Sequence, residues 1–285
     1  MASIAVLTAG TAALSNDDVT GVSAVAVPST TQLQDPFALL RDPSNDLTPR
    51  VLFSKPFELS ITDEEELKAL EYQAQEGNPA AMWRLGNHYA RSTRSENEPQ
   101  NHLKAFKMFH SIIMGAEGVS PHSERAPYVA NALNWLGRYY QRGIPGSDIV
   151  SNRAAAWQMF YTAGNVFRDP QALFSLSEMC TGEDGFHCSP KQGLRWLNLA
   201  AEKGHVRAQA RLGYRLYEGE MAKRHPVKGL TWLTIALDIS TPAEREWISK
   251  AHEQAFSTAT VEERQAARNH ADRWIQKRCS KVGAC

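Results

Sequence analysis

The residues best equipped for covalent chemistry are four cysteines, Cys180, Cys188, Cys279 and Cys285. Their even number permits disulfides in an oxidising compartment, and closeness in sequence favours Cys180 with Cys188 and Cys279 with Cys285. Free thiols are the alternative. A metal role fits poorly: no Cys-x-x-Cys occurs, and His187 is the one histidine beside the first pair, too few donors for zinc at ordinary spacing.

Hydrolytic and transfer chemistry finds no constellation. His252-Glu253 is followed by Phe256 where a His-Glu-x-x-His zinc motif needs its second histidine. No phosphate-cradling Gly-x-x-x-x-Gly-Lys loop and no Gly-x-Ser-x-Gly elbow is present, and no lysine stands three residues after a serine. The acidic run Asp63 to Glu66 suits a helix N-terminus, where the backbone dipole favours negative charge. His88 and His205 lack ligand spacing and are read as surface or capping residues. These residues predict a protein that is not an enzyme and uses no cofactor or metal. A cysteine-rich β-lactam hydrolase is the weakest reading carried forward, one that a nitrocefin assay would test.

What remains is binding, and binding residues need elements to hold them. Four segments align: AMWRLGNHY from Ala81, ALNWLGRYY from Ala132, ALFSLSEMC from Ala172 and AQARLGYRL from Ala208. Each places a small residue four positions before a leucine, and glycine follows that leucine in three: Leu85-Gly86, Leu136-Gly137 and Leu212-Gly213, with Leu176-Ser177 the exception. A second series reads AFKMF from Ala105, AWQMF from Ala156, GLRWL from Gly193 and GLTWL from Gly229. Alternation of two helical patterns at a period in the thirties describes helix pairs, with small residues allowing close approach and large ones filling the space between successive pairs. Phe109, Trp157, Phe160, Trp196 and Trp232 are accordingly predicted to pack in the core. The longer first interval places an insertion near 115–127, and a helix pair from Pro242 to Lys277 is expected to close the array. The fold class predicted is all-α: a TPR-like α-solenoid of about four helix pairs with a helical cap, over 62–278.

The repeat domain is expected to begin at Thr62, where Thr62 with Glu65 has the look of a capping box and Leu67, Leu70 and Ala74 share a helical stripe. Residues 27–61, rich in proline, serine and threonine, are read as a disordered leader, and 279–285 as a tail. Within 1–26, the apolar run Ile4 to Leu14 is too short to span a bilayer but suits the core of a secretory signal, with Ala24 and Ala26 as a cleavage pattern. No Lys or Arg precedes it, so the expectation is an incomplete signal whose basic region lies upstream; a disordered tail is the alternative. Lys plus Arg equals Asp plus Glu, 31 each, leaving no net field to draw the chain onto nucleic acid or anionic lipid.

The run LNLAAEKGHVRAQARLGYRLYEGE, Leu197 to Glu220, resembles the Sel1-like repeat signature. The stretches from Tyr128 to Pro145, Asn165 to Met179 and Gly229 to Asp238 also resemble the ExoR family of periplasmic exopolysaccharide-production negative regulators. The resemblance implies a periplasmic inhibitor that binds the sensor domain of a membrane histidine kinase of the ExoS/ChvI type and holds signalling off. A periplasmic protease that destroys such an inhibitor would be a second partner. The cysteine pairs and the weak signal segment depart from the family's pattern. A generic Sel1-like adaptor, cytoplasmic or secreted, is the other reading.

If the first helix of each pair lines a concave side, the positions just before and two or three after each key leucine face it. These are Arg84, Asn87 and His88; Trp135 and Arg138; Ser175 and Glu178; and Arg211, Tyr214 and Arg215. Recurrent arginine and aromatic residues there suit an acidic, partly apolar protein partner. A solvated face with no partner is the bland alternative.

Overall fold

The computed structural model describes residues 61, 63–91, 98–181, 188–220 and 223–282, so the expected signal segment and leader lie outside the described residues. Eleven helices and no strand occur among them: α1 (Glu64–Gln75), α2 (Pro79–Arg91), α3 (Glu98–Met114), α4 (Ala126–Arg142), α5 (Arg153–Asn165), α6 (Pro170–Thr181), α7 (Pro190–Glu202), α8 (Val206–Glu218), α9 (Pro226–Ile239), α10 (Pro242–Thr258) and α11 (Val261–Val282). None is long and apolar enough to cross a membrane. The architecture is the all-α helix-pair repeat that the sequence predicts, α2 with α3, α4 with α5, α6 with α7 and α8 with α9. The helices fall into two compact units, one ending at Phe167 and one beginning at Arg168.

Local sequence fixes the helix ends. Proline opens seven of the eleven helices or stands at their second position, where its missing N–H costs no hydrogen bond. Ser189 and Gln192 form a reciprocal capping box on α7, and Asn152 accepts from the Ala155 amide at the start of α5. The cap of α1 is Asp63, which accepts from the Glu66 amide at 2.6 Å ahead of three first-turn glutamates. The expected Thr62–Glu65 box is therefore one residue out of register, and Thr62 itself lies outside the described residues. His205 caps α8 with a ring nitrogen 3.1 Å from the Ala208 amide.

Within each pair, the residue after the key leucine governs approach. A Cβ on Gly86 would lie 2.7 Å from the Phe109 ring, and one on Gly137 2.6 Å from the Phe160 ring. A Cβ on Gly213 would meet the Gly229 carbonyl and the Leu233 amide, each at 2.8 Å. These contacts are shorter than any real side chain allows, so glycine is what brings the two helices of these pairs together. In the third pair Ser177 replaces the glycine, and the register of Phe109 and Phe160 is held by the smaller Leu197. Phe109, Phe160 and Trp196 are fully buried, as predicted. Trp157 and Trp232 are only half-buried. Trp157 stacks on Tyr161 of its own helix, and Trp232 sits edge-on to Trp274 of α11 at 5.8 Å. Phe160 and Leu233, on the same helices, are the fully buried residues.

In the second unit α10 packs on α8 and α9, and α11 packs on α9. Tyr217, Leu230, Leu233, Ala255, Ala259 and Ala267 share one core there. α11 runs through Cys279 to Val282, so the stretch expected as a tail begins as helix. Cys180 and Cys188 form a disulfide between the end of α6 and the start of α7. Cys279 is disulfide-bonded; its expected partner Cys285 lies outside the described residues.

Candidate functional site

The side chains expected on the first-helix face prove to be linked to one another, helix to helix. In the first unit Trp135, one residue before the leucine of α4, donates its indole N–H to Asn87 Oδ1 at 3.1 Å; Asn87 stands two residues after the leucine of α2. In the second unit the same two register positions hold Arg211 and Glu178, an ion pair at 3.1 Å between α8 and α6. Arg84, again one before its leucine, pairs with Glu66 of α1. So α1 supplies to α2 what α2 supplies to α4 and α6 to α8, by the same positions but with changing chemistry. The half-exposed ion pairs add little stability singly, roughly 0–1 kcal/mol. Their effect is to fix where the guanidinium groups stand.

This ladder reassigns one residue. Asn87 was expected to face a partner but is 2% exposed, with its amide donating to the Trp83 carbonyl and its oxygen accepting from Trp135. Its polar atoms are consumed inside the protein. Trp83 extends the link by donating to Asn131 Oδ1 at 2.8 Å. Arg84, His88, Trp135 and Arg138 are half-buried on the same helices, with the Arg138 guanidinium 5.1 Å from the Trp135 ring centre and Trp135 stacked on Phe109. Nearby, burial and a hydrogen bond to Glu71 push the Tyr89 hydroxyl up to about 12.

In the second unit the face opens into a cleft of about 540 Å³ between α8 and α10. Arg207, Arg211, Tyr214 and Arg215 of α8 line it, with Glu220 beyond that helix and Trp247 of α10 opposite. Glu178, Arg211, Tyr214 and Arg215 are thus brought together around one cavity or its rim, whereas Arg84, His88, Trp135 and Arg138 belong to the first unit. Ser175 is half-buried on α6, its hydroxyl 3.5 Å from the Gln171 amide. Arg207 and Trp247 fall outside the positions that the repeat register marks. Arg207 lies five residues before its leucine, outside the compared register, and Trp247 sits in the closing pair that was read only as a cap. The spacing that could have shown it is Arg207, Arg211, Arg215: every fourth residue, one stripe of a helix.

The electrostatics of the cleft are lopsided. Arg207 is exposed with its guanidinium 5.5 Å from the Phe174 ring centre, and Arg211 is 5.9 Å from the same ring. Burial pulls the Arg215 guanidinium below its usual value; Glu178 and Glu220 oppose that shift and neighbouring Arg211 adds to it. Arginine nonetheless stays protonated at neutral pH. Among the described residues no cluster of three or more histidine, cysteine or carboxylate side chains could hold a metal ion.

Four successive helix pairs, three of them closed on glycine, define a Sel1-repeat protein: the Sel1 repeat model matches residues 79–114, 130–165, 170–205 and 206–238. A solved Sel1 repeat protein from Oxalobacter formigenes shares the fold at a TM-score of 0.53 and 19% identity, over 73% of this chain and 78% of that one. Closer in sequence is the exopolysaccharide production negative regulator of Rhizobium meliloti strain 1021, 35% identical over 205 residues that make up 72% of this chain and 73% of that protein. The protein of the same description from Rhizobium leguminosarum bv. viciae matches to the same extent. The chain belongs to the family of these Sel1-repeat regulators.

Proposed function

We propose that this protein is a non-catalytic negative regulator of exopolysaccharide production, acting in the periplasm by binding the sensor domain of a membrane histidine kinase of the ExoS/ChvI type and keeping it inactive. The single observation that carries the regulator reading is the 35% identity, over nearly three quarters of either chain, to two proteins described by that role. Binding is the mode of action a Sel1-repeat scaffold supports, because stacked helix pairs present long rows of side chains rather than a closed catalytic pocket. The linked first-helix faces add pre-organisation: arginine and aromatic groups held by neighbours lose less freedom when a partner docks. The Cys180–Cys188 disulfide favours an oxidising compartment such as the periplasm.

The test is capture of the purified periplasmic domain of the histidine kinase from the same organism by the full chain. Saturable binding, weakened by Arg138→Ala or Arg211→Ala in proteins that still fold, is the expected result. A correctly folded chain that does not retain the sensor domain at micromolar concentrations rules out direct inhibition of that kinase.

A further inference from the structure

We propose that the cleft between α8 and α10 is the docking site for an acidic segment of the partner protein, a carboxylate side chain seated among Arg207, Arg211 and Arg215 with an adjacent apolar side chain against Trp247. This deepens the protein-binding reading and rests on it. Three observations converge on that occupant. First, the three arginines stand four residues apart on one helix, an arrangement in which like charges repel and weaken the helix by a few tenths of a kcal/mol per pair. Among the described residues Glu220 is the one acidic residue lining the cleft, and Glu178 is engaged with Arg211, so the row of three arginines keeps an excess of positive charge. Secondly, Arg215 lines the cleft and its Nη1 makes no hydrogen bond, although Glu178 and Glu220 offset part of its charge. A buried charged donor without an acceptor is costly, and a carboxylate is the acceptor whose planar geometry matches a guanidinium. Thirdly, Trp247 is 37% exposed on the opposite wall, a large apolar surface left open to water beside the charged row. Arginine beside an exposed tryptophan is the composition that dominates protein-binding energy. Together they fit a peptide that alternates acidic and apolar residues.

The experiment titrates the full chain against a fluorescein-labelled, end-blocked hexapeptide of alternating glutamate and leucine, read by anisotropy, beside the same peptide with glutamine for glutamate. Expected are saturable binding of the acidic peptide and at least roughly tenfold weaker binding of the neutral one, the loss of one charge-assisted contact or more. Arg207→Gln, at an exposed position, should weaken the acidic peptide by about tenfold while leaving thermal unfolding unchanged; Trp247→Ala and Arg215→Gln should each do the same in chains shown to be folded at the assay temperature. Equal binding of the two peptides, or unaltered binding in Arg207→Gln and Trp247→Ala, overturns the proposal. So does displacement by inorganic phosphate at matched concentration, which would mark a small-anion site. Displacement by alginate at lower carboxylate concentration than the peptide overturns it in favour of an acidic polysaccharide. The sensor-domain capture is run on the same variants. If wild-type chain captures the sensor domain and Arg207→Gln captures it equally, the regulator reading stands and the cleft falls. If wild-type chain binds the acidic peptide as described but no sensor domain, the cleft stands and the kinase partner falls.

Discussion

Asn87 shows how much a single side chain does between two repeats. Its amide caps the Trp83 carbonyl within α2 while its oxygen receives the Trp135 indole from α4. Asn87→Ala leaves that indole N–H without its partner, and chemical denaturation should record a loss of about 1–3 kcal/mol. Trp196 and Trp157 separate on the same logic of burial. Trp196 is 1% exposed, and Trp196→Ala should cost about 3–5 kcal/mol, whereas half-buried Trp157→Ala should cost clearly less in the same assay. His252 gives stability a dependence on pH. It lies between Thr234, at 3.2 Å, and the Phe256 ring, and burial lowers its affinity for a proton below that of a free histidine at 6.5. Asp238 and Glu253 partly oppose the shift, and Arg268 reinforces it. The unfolded chain therefore binds the proton more readily, so this site leaves stability untouched above about pH 6.5 and erodes it as pH falls toward the folded-state value. His110 is lowered by burial too and acts in the same direction. Denaturation at about pH 7.5 and about pH 5.5 should show a smaller acid loss for His252→Gln than for the natural protein.

At the scale of the element, the pairing of glycine with a ring across each helix pair makes a coupled test. Gly137→Ala forces a methyl against Phe160 and should destabilise the protein by about 1–3 kcal/mol, while Phe160→Leu alone opens a void. The double change should cost less than the sum of the two, because the smaller leucine makes room for the methyl; Ser177 with Leu197 already realises such a combination. The disulfide acts on another element, closing the eight-residue separation from Cys180 to Cys188. In the chain-entropy account, the paired change Cys180→Ser with Cys188→Ser, which leaves the Cys279 disulfide in place, should lower stability by about 2–3 kcal/mol, read as a shift in denaturation midpoint. These pairings also mark what the sequence could reveal. The leucine-glycine register was legible because it repeats in the chain itself. Asp63 against Thr62 was a one-residue slip between two adjacent oxygen-bearing candidates for the cap. The Asn87–Trp135 and Glu178–Arg211 links were not legible, since they join residues 48 and 33 apart through the rotation between successive pairs. Nor was it visible that Phe160, three residues along the same helix, would take the buried position and leave Trp157 at the surface.

For the whole molecule, a negative regulator poses a difficulty of interpretation, because any variant that removes it raises the output it restrains. The Gly137→Ala chain and the Arg207→Gln chain separate the two routes. Gly137 is packed against a ring in the interior, so its substitution should lower the folded amount of the protein, and exopolysaccharide should rise in proportion to the protein lost. Arg207 is exposed on α8, where a change to glutamine leaves the core intact and relieves one like-charge neighbour of Arg211. Complementing a deletion strain with each variant and measuring both protein level and exopolysaccharide should therefore give two signatures. Arg207→Gln is expected to raise exopolysaccharide with protein level and melting temperature unchanged, which only a lost partner contact explains. Should Gly137→Ala raise it while Arg207→Gln stays at the natural level, restraint depends on the folded scaffold and is exerted by a surface other than the α8–α10 cleft.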